Sequence, residues 1–507
     1  MSDASAQAGL PLILTADQTL LADYPTLLDG MMGTVQTTVV PEMLMRRVLS
    51  PAMPCQGVRA VRGPLGLRRL EAVLRRAGWA ERDVAIVPPH RLKAAIGPAT
   101  RVVALSSGDP LGLGMTSTTM SAATGGQPYT QRWFAKLCAL LRRRRQSGLN
   151  FRIVAGGPGA WQLQQQPAAA RELGIDTVVV GYAERDLPAL MARFAAGEPV
   201  GPVVTAAATG PGEIPPILGA TVMGVVEISR GCGRGCGFCT LAEEPVSHLP
   251  IEQIVADART NIAGGAAAIS LIAEDLFRYG AGGAKPECSR LMEMLAAVRA
   301  AEGLRMIQVD HANVSSVAQM NISELREINR LLRVSPRHRH VWVNLGVETA
   351  SGELMAANGL AGKISPFGAV DWPELCNTAV RRLIEAGFMP MASLILGLPG
   401  ETPGHLRQTM DLIERWAGLP MVAFPIFYVA VRPEERPFEI SRMSELHWRL
   451  FSTCYDFNFR WIPPLIADNQ RAAAAPRSRR LFIQMAGRGQ KLQWKWRLWR
   501  AIRRARR

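Results

Sequence analysis

The sequence predicts an α/β protein: an N-terminal doubly wound (Rossmann-like) domain, a second domain of alternating strands and helices, and a helical, basic C-terminal region. Three observations carry this. Short continuous apolar runs alternate with helical stretches over residues 1–205 and again over 223–440. A stretch rich in small residues, Pro and Gly, AAATGPGEIPPI, sits in the linker 206–222 between them. Beyond 441 the strand signals cease, and from 477 the charge becomes one-sided. A chain of 507 residues is long enough for two or three domains, and 48% hydrophobic residues is a normal globular fraction.

In the first domain the runs 11–15, 83–87, 101–105, 151–155 and 177–180 read as strands, with helices expected over 66–77 and 131–145. Apolar runs bounded by helices imply strands buried on both faces of a parallel sheet. Ligands in such sheets bind at the carboxyl ends of the strands. There the sequence places Ser106-Ser107-Gly108-Asp109-Pro110-Leu111-Gly112, Gly156-Gly157-Pro158-Gly159 and Gly181-Tyr182-Ala183-Glu184. Each loop alone fits a tight strand-to-helix turn; three in succession point to close backbone approach by a large ligand.

The second domain carries six strand-like runs, 223–228, 268–272, 306–309, 341–347, 391–396 and 422–429. After Pro433 the chain reads as helical, apart from an expected break at Trp461-Ile462-Pro463-Pro464 and a polar, Ala-rich segment over 468–480. Formal net charge is +16 (58 basic, 42 acidic), but residues 477–507 hold twelve Lys and Arg and no Asp or Glu. The remainder is therefore near +4, which excludes a nucleic-acid footprint spread over the whole surface. In the tail, Leu492, Trp494, Trp496, Leu498, Trp499 and Ile502 would cover about 200° of a helix, interleaved with Lys and Arg. This composition suits an anionic membrane surface, a macromolecular partner or a merely solvated tail.

The first residues lack a basic stretch followed by an apolar run, and no run of about 18 uncharged apolar residues occurs. Eight cysteines, three of them clustered, fit a reducing compartment. The expectation is a cytoplasmic protein, with peripheral membrane contact through the tail as one reading.

The most informative segment is Glu227-Ile-Ser-Arg-Gly-Cys232-Gly-Arg-Gly-Cys236-Gly-Phe238-Cys239. Three thiolates spaced C-x3-C-x2-C on a glycine-rich loop are able to hold three irons of a [4Fe–4S] cube, leaving one iron open to another ligand. A zinc site would want a fourth Cys or His close by, and the next histidine is His248. Cys55, Cys138, Cys288, Cys376 and Cys454 are isolated and read as buried or inert.

These residues resemble the radical S-adenosylmethionine (SAM) superfamily, and the resemblance runs from 223 to about 440. It implies a partial (β/α)6 barrel, a cluster on Cys232, Cys236 and Cys239, and SAM chelated at the open iron. Reduction by a donor such as flavodoxin or ferredoxin would then cleave SAM to a 5′-deoxyadenosyl radical. By the same resemblance Glu274 and Asp275 would hold the SAM amino group, Asp275 also serving as a helix N-cap. Glu348 would accept from the ribose, and Phe238 would lie beside the adenine. Ser393 replaces the first glycine of a fifth-strand G-x-I-x-G-x-x-G-E pattern, whose backbone from Ile395 through Gly397 to Leu398 would face the adenine. His311, at the end of the third strand, is a core histidine, a SAM contact or a substrate contact.

A Rossmann-like domain ahead of such a barrel resembles the cobalamin-dependent class. Carried over, Ser107, Asp109, Leu111, Gly156, Gly157, Pro158, Gly181, Tyr182 and Glu184 would contact cobalamin, although Tyr182 departs from the common Glu. No histidine has Gly three residues later, so the D-x-H-x-x-G lower ligand to cobalt is absent. Residues 14–17, 23–24, 64–68, 108–114, 157–162 and 273–275 are further similar to the family containing the methyl-coenzyme M reductase glutamine C-methyltransferase. That implies C-methylation of an unactivated carbon through a deoxyadenosyl radical and methylcobalamin, on a small molecule or a protein side chain. Alternatives are a cobalamin radical SAM cyclase or rrearrangement enzyme of the tetrapyrrole type, and a non-catalytic iron–sulfur protein. With only Cys55 and Cys138 in front, a second cluster of the methylthiotransferase kind lacks ligands.

Overall fold

The computed structural model describes residues 8–431 and 435–505. The chain divides into two compact units, 1–225 with 256–266, and 226–255 with 267–507.

The first unit is built on six strands: β1 (Leu12–Ala16), β2 (Val84–Ile86), β3 (Val102–Ser106), β4 (Arg152–Gly156), β5 (Thr177–Val180) and β6 (Val203–Thr205). Their order is β2-β1-β3-β4-β5-β6 and every pairing is parallel. Alternate residues of each strand feed two separate cores. Ile13, Val103 and Ile153 pack with Phe134, Leu137 and Leu141 of helix Tyr129–Gln146. Leu12, Val102 and Val154 pack with Leu67 and Leu74 of helix Leu65–Arg76 and with Met191 and Phe194 of helix Leu187–Ala195. Both faces are thus covered, which is why the strands read as unbroken apolar runs. The edge strand β6 was not expected: two of its three residues are exposed, so it lacks that signal.

The segment expected as a linker is ordered and anchored. Ile214, Ile217, Ala220 and Val222 are buried. Asp257 Oδ1 accepts from the Ile217 amide at 2.9 Å, and Asn261 Oδ1 from the Thr221 amide at 2.6 Å. Asp257 also accepts from Arg69 Nη2 at 2.6 Å, with both side chains almost wholly inaccessible to solvent.

The second unit holds β7 (Val225–Glu227), β8 (Ile269–Ile272), β9 (Ile307–Val309), β10 (His311–Asn313), β11 (Val341–Glu348), β12 (Phe388–Leu396) and β13 (Val422–Phe427). They form two sheets, β9-β8-β7 and β10-β11-β12-β13, the latter parallel throughout. The third expected strand, 306–309, is β9, and just beyond Asp310 a further short strand, β10, joins the other sheet. Taken together the strands follow chain order, the succession a (β/α)6 barrel requires.

Three expectations for the C-terminal region are corrected. Helix Glu445–Ala472 runs unbroken through Pro463 and Pro464. A proline at 463 deprives the Phe459 carbonyl of its intrahelical donor; Lys491 Nζ supplies a replacement at 3.4 Å. The segment 468–480 is helical at both ends, since helix Arg477–Ala505 begins within it. The expected single apolar face of the tail is divided. Trp494 and Leu498 are buried, Trp494 lying 4.8 Å from the Tyr455 ring, whereas Leu492, Trp496 and Trp499 face water. Among the described residues no helix is long and apolar enough to cross a membrane.

Candidate active site

The three cysteines lie on the loop leaving β7. Gly231, Gly233 and Gly235 all adopt positive φ, which only glycine tolerates cheaply. At Gly231 a Cβ would stand 2.3 Å from the Pro245 carbonyl, so the tight return of the loop depends on its absence. The loop closes through Cys232 N to Glu244 O (2.9 Å) and Gly235 N to Ala242 O (2.9 Å), and Arg278 Nη1 holds the Cys232 carbonyl at 3.0 Å. Burial pushes all three thiols up, Cys236 to about 11. Metal coordination is what offsets this and yields thiolates. Among the described residues no three His, Cys, Asp or Glu side chains converge on a single ion position. A cube asks for a different arrangement, one thiolate for each of three irons.

Arg234, between the first two cysteines, is a hub that sequence reasoning missed. It is buried, donating to Asp275 Oδ2 (2.8 Å), Ser316 Oγ (3.1 Å), Ser315 Oγ (3.3 Å) and the Gly362 carbonyl (3.1 Å). This corrects the cap role expected of Asp275. Its oxygens are also taken by Ser316 Oγ (2.6 Å) and the Asn313 amide (3.3 Å), and it makes no side-chain N-cap bond. Asp275 therefore anchors the loop, and Glu274 is the carboxylate left facing solvent. Protein atoms crowd the other sides of Glu274, and this desolvation, aided by Asp310, raises its carboxyl above the ordinary range. Beside it, His311 Nδ1 lies 3.0 Å from Asp310, which also accepts from Asn344 Nδ2 at 2.8 Å.

Glu348 closes β11 at φ 62°, a rare backbone state for a residue with a Cβ, at a register shift against β12. Its carboxylate is buried and paired with Lys363, with Ser393 Oγ donating at 3.4 Å. Desolvation works against the charge on Lys363, but Glu348 and then Cys236 outweigh it and raise the ammonium. A Cβ at Gly346 would meet Lys363 Nζ at 2.2 Å and Glu348 Oε1 at 2.6 Å, so glycine makes the space for the pair. Lys363 was also missed, although a lone cation in Gly359-Leu-Ala-Gly-Lys363 was a usable signal.

At the end of β12 and just beyond it, the side chains of Ile395 and Leu398 are buried and Gly397 takes φ +78°. Glu401 accepts from the Gly397 amide at 3.0 Å and pairs with His447 Nε2 at 2.8 Å. A cavity of about 480 Å³ opens here, lined by Gly397, Leu398, Glu401, Arg436, Phe438 and His447. Phe238 is partly buried on the cysteine loop.

In the first unit the expected contacts separate into two kinds. Ser107 is buried and donates to Asp17 (3.2 Å), whose carboxyl desolvation raises to about 6. Asp109 accepts from Gly114 N (3.1 Å) and Gln162 Nε2 (2.6 Å), and Glu184 is buried. Ser107 and Asp109 thus bond within the first unit's own loops. Gly157, Pro158 and Gly181 are exposed at the strand ends, with Leu111, Gly156 and Tyr182 half-buried beside them. At Gly157, φ +89° and a Ser106 Oγ only 2.5 Å from a Cβ position make glycine obligatory.

With this geometry in place, residues 226–413 match the Radical SAM superfamily model. That segment is a radical SAM domain. The cofactors of that superfamily are a [4Fe–4S] cluster and SAM, and the three-thiol loop, with Cys236 buried and Cys232 and Cys239 half-buried, fits the first of them. Curated relatives include the ribosomal protein uS12 methylthiotransferase RimO of Anaeromyxobacter sp. (strain K), 25% identical over 37% of this chain and 37% of its own. The tRNA-2-methylthio-N(6)-dimethylallyladenosine synthase of Sphingopyxis alaskensis is 22% identical over 54% of this chain and 58% of its own. The chain thus spans between about a third and three-fifths of the length of these relatives. Among solved structures, the radical SAM methyltransferase TsrM of Kitasatospora setae, with cobalamin and a [4Fe–4S] cluster bound, matches at TM-score 0.52 and 15% identity, covering 82% of this chain and 72% of TsrM. The likeness is one of fold.

Proposed function

We propose that the chain is a cobalamin-dependent radical SAM methyltransferase acting on an unactivated carbon. The observation that carries this is a glycine-lined set of strand ends on a six-stranded parallel sheet, joined in one chain to a three-thiol radical SAM domain. The fold likeness to TsrM, which extends well beyond the radical SAM domain, supports the same reading. A methylthiotransferase activity is disfavoured because the first unit has only Cys55 and Cys138, one half-buried and one fully buried.

In this reading Cys232, Cys236 and Cys239 each take one iron, and Arg234 fixes the loop that carries them. Glu274 would accept from the SAM ammonium, being an accessible acidic side chain next to the Arg234-bound Asp275. The Lys363-paired Glu348 faces the ribose, and the backbone at Gly397 and Leu398 faces the adenine. Gly157, Gly181 and Tyr182 would border the corrin or its nucleotide, and the D-x-H-x-x-G motif that would supply a histidine to cobalt is absent. When bound, the cluster and cobalamin supply the radical and methyl-transfer chemistry, while the chain supplies placement.

The test is anaerobic turnover of the reconstituted protein with methyl-deuterated SAM and host lysate. A methylase transfers a +3 mass label to one acceptor and forms S-adenosylhomocysteine together with 5′-deoxyadenosine. Deoxyadenosine alone, with an unlabelled product, would reassign the chain to cyclisation or rearrangement. Full turnover by cobalamin-free protein would remove the role given to the first unit.

A further inference from the structure

The terminal helix 477–505 carries a second apolar surface that its own packing does not use. Advancing about 100° per residue, Leu481, Met485, Leu492, Trp496 and Trp499 fall within an arc of roughly 60°. The buried Trp494 and Leu498 lie on the opposite side of the helix. Leu492 is 70% exposed, Trp496 54% and Trp499 51%, and Leu481 and Met485 are each 61% exposed. From Leu481 to Trp499 the stripe runs roughly 27 Å along the axis. Isolated apolar side chains are ordinary on a surface, but five in one row mark a contact site.

Cations border the stripe on both sides. By the same angular count Arg488 and Lys495 flank one edge and Arg500 the other. The Arg500 guanidinium lies 4.6 Å from the Trp496 ring centroid, and that of Arg503 4.1 Å from the Trp499 ring. With twelve basic and no acidic residues from 477 to 507, nothing in this segment offsets the positive field.

We propose that this outer face of helix 477–505 docks in the plane of an anionic phospholipid surface. The charge is complementary to acidic headgroups, and indole rings between cations suit headgroup depth. A narrow apolar stripe on a basic helix immerses a few ångströms rather than spanning, consistent with a helix too polar to cross. A single-stranded nucleic acid matches the charge equally well, but it rewards stacking rings, and Leu481, Met485 and Leu492 present none.

The experiment uses the full chain and sedimentation with vesicles of phosphatidylcholine containing about 30% phosphatidylserine, against pure phosphatidylcholine. We expect binding at least about tenfold tighter to the anionic vesicles, weakened by added salt. Combined Leu492→Ser, Trp496→Ser and Trp499→Ser should reduce it about tenfold or more while SAM cleavage is retained. Quenching of wild-type tryptophan fluorescence by brominated lipid gives a second readout that does not depend on the variant folding. Equal affinity for neutral and anionic vesicles, or absence of quenching, would overturn the proposal. So would RNA binding tighter than vesicle binding and indifferent to the three serine substitutions, which would assign the face to nucleic acid.

Discussion

Arg234 Nη2 donates to Asp275 Oδ2 across 2.8 Å, and both side chains are buried. The pair ties the loop between the first two cysteines to the end of β8. Removing one partner of a buried pair strands the other charge, at a cost of about 3–5 kcal/mol. We expect Arg234→Met and Asp275→Asn each to lower iron incorporation and SAM cleavage. Because both lesions break one contact, the double variant should lose little more than either single one. Iron and sulfide content across the four proteins measures this; fully additive losses would contradict a shared role.

Gly346→Ala should be severe for so small a change. The added methyl would stand 2.2 Å from Lys363 Nζ, and the ion pair with Glu348 must shift to admit it. Strained backbone at Glu348 leaves the strand end little room to relax. The expected result is SAM affinity at least about tenfold weaker with cluster content unchanged, read by equilibrium binding.

The pairing of His311 with Asp310 gives a pH dependence of defined sign. Desolvation opposes the imidazolium, but Asp310, and then Glu274, outweigh it and raise His311 to about 9 from the ordinary 6.5. A raised basic group stabilises the fold fully below about 6.5, and this contribution is lost as pH rises through about 9. The difference in urea midpoint between wild type and His311→Gln should therefore be larger at pH 6 than at pH 9.5. A difference that does not change with pH would show that His311 is not charged in the folded protein.

Asp257→Asn should destabilise the first unit by about 3–5 kcal/mol, because Arg69 would remain buried without its counter-charge. Desolvation raises the Asp257 carboxyl, and Arg69 is the largest influence opposing that rise. Urea unfolding followed by circular dichroism is the check. Arg69→Met with Asp257→Leu should recover part of the loss.

Much of this architecture was legible in the chain. Strands such as β3 and β5 are continuous apolar runs, and the cysteine spacing is local information. What escaped depends on partners distant in sequence. Arg234 looks like an ordinary surface cation until Asp275, Ser315 and Ser316 come around it. Asp275 looked free for a ligand for the same reason. Pro463-Pro464 signals a break by every local rule, and only Lys491, on the next helix, makes the unbroken helix tenable. Ser107, Asp109 and Glu184 lie on the expected loops, but sequence position does not tell which way a side chain turns.

Helix 445–472 sets a practical limit on how this protein can be shortened. The match to known radical SAM sequences stops at 413. Yet His447 holds Glu401, Asn458 caps the Ala423 amide at 3.0 Å, and Asn469 accepts from Gln308 at 2.8 Å and Trp342 at 3.2 Å. Asp468 accepts from the amides of Arg339 and His340 at 2.9 Å each. A fragment ending at 413 would remove Ala423 together with this helix and would strip Glu401, Gln308, Trp342 and the Arg339 and His340 amides of these contacts. For expression, crystallisation or transplantation into another host protein, a boundary at 413 is too early, and one at 472 would still remove Lys491, which the Phe459 carbonyl needs.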